Sequence, residues 1–187
     1  MITPPPARLA ALTPDELTPE QRPLYEAITS GPRARGPQHF ALTREDGSLT
    51  GPFNALLYSP AVGSALQEVG AAIRYRTTLD DRSRELGILL VAAREDSAFE
   101  RDSHEAVARG IGLGETELEA VRREDLSPFA GIEAAVGRTV LALLDGDLDE
   151  DVWQSASAEL GAGTVFELTA LVGYYRMLAL QLRVFRV

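Results

Sequence analysis

The chain contains no cysteine among its 187 residues. That absence excludes disulfides, Cys-x-x-Cys redox pairs and thiolate zinc sites. Histidine is almost as scarce, with two in the chain, His39 and His104. Two imidazoles and scattered acids do not supply the convergent nitrogen ligands of a catalytic zinc or iron centre, so no metal is expected. Long apolar runs are missing too. The nearest, 165–182, is interrupted by Glu167, Thr169, Arg176 and Gln181, so no membrane span is expected. The first residues, MITPPPARLAALTP, lack the apolar core of a signal peptide. A soluble, cytoplasmic protein is expected, a location that zero cysteines also suits.

Positive charge is in deficit. Eighteen basic residues face 28 acidic ones, for a formal net charge of −10. No basic stripe is available to displace counterions, so nucleic acid is not an expected partner. An anionic small molecule is still compatible with this balance, because a local arginine outweighs a distant acidic surface. All of the basic residues are arginine.

What is present is helical patterning. Residues 1–17 read as an extended, proline-stiffened arm, and 18–187 as one domain. Thr13-Pro14 and Thr18-Pro19 both have the form of a helix start, with proline at the first helical position. Residues 31–52 are rich in glycine, proline and charge and read as a long loop. Helices are expected from Ser59-Pro60 to about Tyr75, from Asp81, capped by Asp80, to about Glu95, and from about Ala98 to Arg109. Further helices are expected at 115–123, from Ser127-Pro128 to about Leu144, at 149–160, and from Thr164 to about Phe185. The helix from Asp81 shows an apolar stripe of Leu86, Leu89, Leu90 and Ala93. The last helix is apolar around much of its circumference, which suits burial in a core or against a second subunit. No sustained two-residue alternation marks a strand, so the fold class is all-α, with about seven or eight helices.

One constellation carries chemistry: Glu85, Ser97, Glu100 and His104. Glu100 and His104 are four residues apart on one helix face. A tight turn near Asp96 would bring Glu85 from the preceding helix towards them. A buried imidazole flanked by carboxylates is an acid/base couple, because the acids set its tautomer and raise its basicity. The plainer reading takes Ser97-Ala98-Phe99-Glu100 as an S-x-x-E capping box, His104 as a structural residue and Glu85 as a partner of Arg82 or Arg84. Arg101–Glu105 and Glu105–Arg109 have ion-pair spacing and suggest a wet helix face. His39 reads as loop surface. Phe53, Tyr58, Tyr174 and Tyr175 read as core, although a tyrosine can line a pocket.

Several runs resemble the carboxymuconolactone decarboxylase-like family. They are Gly51-Pro52-Phe53-Asn54-Ala55-Leu56-Leu57-Tyr58-Ser59-Pro60, Tyr75-Arg76-Thr77-Thr78-Leu79 with Arg84-Glu85-Leu86-Gly87-Ile88-Leu89, Phe99-Glu100 through His104-Glu105, and Leu171-Val172-Gly173-Tyr174-Tyr175. The resemblance implies the AhpD-like all-helical fold and a homo-oligomer, trimer or hexamer. The alkylhydroperoxidase branch of that superfamily uses Glu-x11-Cys-x2-Cys-x3-His. Here the same spacing reads Glu85, Ser97, Glu100, His104, so both thiols are absent and peroxidase chemistry is excluded.

The decarboxylase branch implies proton transfer beside a carboxylate or lactone, with no cofactor. On that resemblance His104 is the acid/base, with Glu100 and Glu85 in support. Arg101, standing where the family has an aromatic, is a candidate for holding an anionic substrate, with Phe53, Ser97 and Tyr174 as further substrate contacts. The alternative is a non-catalytic oligomeric binding or scaffolding relative.

Overall fold

Ten consecutive residues, Ser83 to Ala92, are buried, so one helix of this protein has almost no solvent face. The computed structural model describes residues 6–35 and 41–187. After a single 3-10 turn at Pro14–Glu16, the helices are α1 (Arg22–Ser30), α2 (Pro32–Arg35), α3 (Pro52–Leu56), α4 (Pro60–Tyr75), α5 (Asp81–Arg94), α6 (Ala98–Gly110), α7 (Glu115–Arg122), α8 (Gly131–Asp145), α9 (Glu150–Leu160) and α10 (Ala162–Phe185). Eight of them have eight residues or more. Among the described residues the only extended pairing is an isolated bridge between Thr43 and Leu49, so the fold is all-α. The chain divides into two compact units, Met1–Ala72 with Leu180–Val187, and Ile73–Ala179.

The first unit is held by an apolar cluster of Leu17, Leu24, Ile28, Leu42, Leu49, Phe53, Leu56 and Leu57. Buried Asn54 ties the N-terminal segment to it. Its amide donates to the Ala10 carbonyl at 2.9 Å and accepts from the Leu12 N–H at 3.0 Å. Thr13-Pro14 does start a capped turn, since Glu16 accepts from the Thr13 N–H and hydroxyl, but the helix stops after three residues. The expected loop at 31–52 is only partly a loop. It includes α2 and a turn in which Asp46 accepts from the Ser48 N–H and hydroxyl. His39 lies outside the described residues.

The second unit is built around α5. Leu86, Ile88, Leu89, Leu90 and Val91 cover its circumference, and α6, α7 and α8 pack on it. Gly87 faces Val140 of α8 and Leu171 of α10, each 3.5 Å from where its Cβ would stand. The expected apolar stripe on α5 is therefore too narrow, because a helix surrounded by others buries every side. Asp80 caps α5, accepting from the Ser83 N–H at 2.9 Å and from its hydroxyl at 2.7 Å.

Three expected helix starts differ. Thr18-Pro19 opens a turn in which Gln21 accepts from the Thr18 N–H, and α1 begins only at Arg22. Ser127-Pro128 forms a turn in which Asp125 accepts from the Ser127 N–H, and α8 begins only at Gly131. The last helix begins at Ala162, just after Gly161 at φ +81°.

Candidate functional site

The link between α5 and α6 is three residues long, Glu95, Asp96 and Ser97. Asp96 takes φ +49°, a left-handed conformation that aspartate tolerates better than most side chains. The Ser97 N–H returns to the Ala92 carbonyl at 2.9 Å. This turn folds α6 back along α5 and sets Glu85 opposite His104.

His104 Nδ1 lies 2.6 Å from Glu85 Oε2, within hydrogen-bond geometry. On its other side Nε2 stands 3.4 Å from Glu100 Oε2, one helical turn back on α6. Glu85 is 0% exposed, and His104 and Glu100 are each 4% exposed. The second oxygens, Glu85 Oε1 and Glu100 Oε1, are buried without a hydrogen bond. Tyr175 of α10 closes on the imidazole edge-on, with ring centroids 5.2 Å apart at 87°.

Charge in this cluster is heavily coupled. Burial disfavours the charged imidazole, yet the Glu85 carboxylate, with Glu100 beyond it, holds the His104 pKa above its ordinary value. Burial works against the Glu85 carboxylate too. The charge of His104, with Arg74 and Arg84, nonetheless holds its pKa below the usual range. Burial pushes the Tyr175 hydroxyl far up, so it stays protonated. Arg84 is buried, pairs with Asp81 at 2.7 Å, and its Nε stands 3.7 Å from Glu85 Oε1.

The capping-box reading is not realised. Ser97 occupies the N-cap of α6, but its side chain makes no cap hydrogen bond, and Glu100 turns to His104 instead. Glu85, Glu100 and His104 therefore come together. Each of the other candidates has surroundings of its own. Arg101 leans on the exposed acids Asp102 and Asp96, at 3.5 and 4.0 Å. Phe53 packs in the core of the first unit. Ser97 is buried at the turn, and Tyr174 stacks edge-on against Tyr175 at 5.3 Å.

The expected Arg101–Glu105 pair is replaced by Arg122, which grips Glu105 at 2.6 and 2.7 Å, with Arg109 at 3.1 Å. Glu105 itself is buried under these two arginines, while Arg109 on the same face is exposed, so the expected wet face and the Glu105–Arg109 pair are present. Tyr175 is the neighbour of the imidazole that the sequence leaves unmarked, because it lies in an apolar helix and reads as core.

The model of the carboxymuconolactone decarboxylase family matches residues 60–144. Over that stretch the chain is similar to this family. The match runs from the start of α4 to the end of α8 and includes Glu85, Glu100 and His104. This carboxymuconolactone decarboxylase-like region is cysteine-less, and serine and glutamate hold the two positions at thiol spacing. Tyr175, which touches the imidazole, lies beyond the matched residues. No curated protein matches the chain. Among the described residues no helix is long and apolar enough to cross a membrane.

Proposed function

We propose that the chain is a cofactor-free decarboxylase or isomerase that moves a proton on a small carboxylated or lactone-like compound. The observation that carries this reading is a buried imidazole held between two carboxylates, at 2.6 and 3.4 Å. Glu85, the closer acid, orients the ring by accepting from Nδ1–H, which leaves Nε2 as the working nitrogen. Glu100, at a looser distance and with one oxygen unengaged, is placed to resupply the proton. In a decarboxylation, the electron pair of the breaking carbon–carbon bond passes into an adjacent carbonyl and carbon dioxide leaves. His104 then delivers its proton to the carbon. In an isomerisation the same nitrogen takes a proton beside the carbonyl and returns it further along the chain.

The family match supports this branch of chemistry, and the missing thiols remove alkylhydroperoxidase activity. A cytoplasmic homo-oligomer, trimer or hexamer, completes the proposal. The second reading is a non-catalytic binding or scaffolding relative, and the closure of the cluster in one chain favours it. A screen of small carboxylates and lactones for decarboxylation or isomerisation separates the two. Turnover by wild type that His104→Ala lowers by 100-fold or more, about what a general acid/base contributes, supports the enzyme. Equal turnover in both removes His104 from the mechanism, and no turnover on any substrate favours the scaffold.

A further inference from the structure

We infer that the outer face of α10 pairs with the same face of a second copy of this chain, antiparallel about a two-fold axis. The inference rests on the homo-oligomer part of the proposed function, to which it adds the surface and the symmetry. It is independent of the chemistry at His104.

α10 is one unbroken helix from Ala162 to Phe185, and it has two apolar faces. Val165, Leu168, Leu178 and Leu182 are buried on the inner one. The outer one is a second stripe of Phe166, Ala170, Gly173, Met177, Leu180 and Val184. Its steps are four, three, four, three and four residues, the spacing of a coiled-coil seam. The seam runs about 27 Å along the helix. None of the six is buried, and Phe166 is 73% exposed, Leu180 50% and Val184 40%. Apolar side chains scattered singly over a surface are ordinary, whereas a continuous stripe marks a contact.

Gly173, in the middle of the seam, is the sharper sign. A glycine in a helix interior weakens the helix. Its backbone is helical with no positive φ, so no turn requires it. Beyond its own helical turn, nothing among the described residues lies within 4 Å of where its Cβ would stand. The packing of this chain therefore has no use for the missing side chain. A second helix crossing closely at that point does.

The stripe is complementary to itself when reversed. Turned end for end midway between Gly173 and Met177, it sets Phe166 against Val184, Ala170 against Leu180 and Gly173 against Met177. Each layer then joins a larger side chain to a smaller one, which keeps the seam evenly filled. A parallel pairing puts Phe166 on Phe166 and Gly173 on Gly173, a bulge and a gap. A self-complementary patch is what a two-fold contact between identical subunits uses, and an unrelated partner has no need of the mirrored order. Arg176, which flanks the centre, is drawn aside to Glu95 at 3.0 Å. A two-fold pair gives an even number of copies, which a hexamer satisfies and a trimer does not.

The test uses the full chain, of mass 20.2 kDa. Light scattering after size exclusion is expected to give an even multiple of that mass for wild type. Leu180→Glu and Gly173→Glu, which put charge into the seam, are each expected to halve it. Ile132→Glu, at an apolar residue of α8 that is 52% exposed, is expected to leave it unchanged. The absence of cysteine lets the register be read chemically. On oxidation, mixed Ala170→Cys and Leu180→Cys chains are expected to form the linked heterodimer in preference to either linked homodimer. If a glutamate variant fails to fold by circular dichroism, the cysteine pair, which adds no charge, decides. A monomeric or trimeric wild type would overturn the inference. So would an even-numbered assembly that both glutamate variants leave whole, or preferential linkage of Ala170→Cys to itself. A monomer would remove the homo-oligomer of the proposed function as well, whereas an assembly indifferent to the seam would leave it standing on another surface.

Discussion

His104 and Glu85 meet across two helices, 2.6 Å apart and both buried, because three linking residues reverse the chain at Asp96. Nineteen positions separate them in sequence. Their coupling, rather than either residue alone, sets how this part of the protein responds to pH.

The pair stabilises the fold within a window. The His104 pKa is raised above its ordinary 6.5, so its contribution is complete below 6.5 and is lost as pH rises through the raised value. The Glu85 pKa is lowered below its ordinary 4.5, so its contribution is complete above 4.5 and is lost as pH falls through the lowered value. Both are present together between those limits. Glu85→Gln is expected to cost about 3–5 kcal/mol there, the price of breaking a buried pair, and to flatten both flanks of the profile. Urea denaturation from about pH 2 to 9 reads both flanks. Parallel profiles for wild type and variant would refute the coupling.

Helix caps divide into working and idle ones. Asp80 and Asp149 each accept from a first-turn N–H at 2.9 Å, whereas Ser97 makes no cap bond. Asp80→Ala and Asp149→Ala are expected to lose about 1 kcal/mol each, and Ser97→Ala under about 0.5 kcal/mol. Chemical denaturation of the three variants ranks them. A Ser97→Ala loss as large as that of Asp80→Ala would show that the serine caps α6 after all.

This is where sequence and structure part company. The text S-x-x-E is a real capping pattern, but the pattern is local, and the carboxylate it needs is claimed by a histidine one turn on. Spacing alone placed Glu100 and His104 on one face, and most helix bounds followed from periodicity and capping residues. The approach of Glu85 depended on a turn whose left-handed Asp96 no periodicity announces. Tyr175 is illegible for a related reason: it comes from a helix whose own pattern is unremarkable, and only packing brings it to the imidazole. Arg101 was the reverse case, suggestive by position yet drawn to solvent-side acids.

Two helix glycines are expected to respond to alanine with opposite sign. A Cβ on Gly87 would meet Leu171 and Val140 at 3.5 Å, ordinary contact, so Gly87→Ala gains helix propensity of about 0.5–1 kcal/mol. A Cβ on Gly63 would stand too close to the Leu56 carbonyl oxygen, a backbone atom that cannot swing aside. Gly63→Ala is expected to lose about 1–3 kcal/mol, as overpacking does. Thermal unfolding of the pair checks both signs, and a stabilised Gly63→Ala would contradict the close approach.

The ion pairs that lash α5 to its neighbours use guanidinium only. Arg82 joins Glu117 and Glu133 at 2.6 Å, and Arg94 joins Glu124 and Asp145 at 2.6 and 2.7 Å. With no lysine in the chain, there is no side-chain amine to acetylate, to biotinylate with an activated ester or to bridge with an aldehyde. Carbodiimide coupling to its carboxylates would compete with the very pairs that hold α5. Alkali, which discharges lysines near pH ~10, leaves those lashings intact.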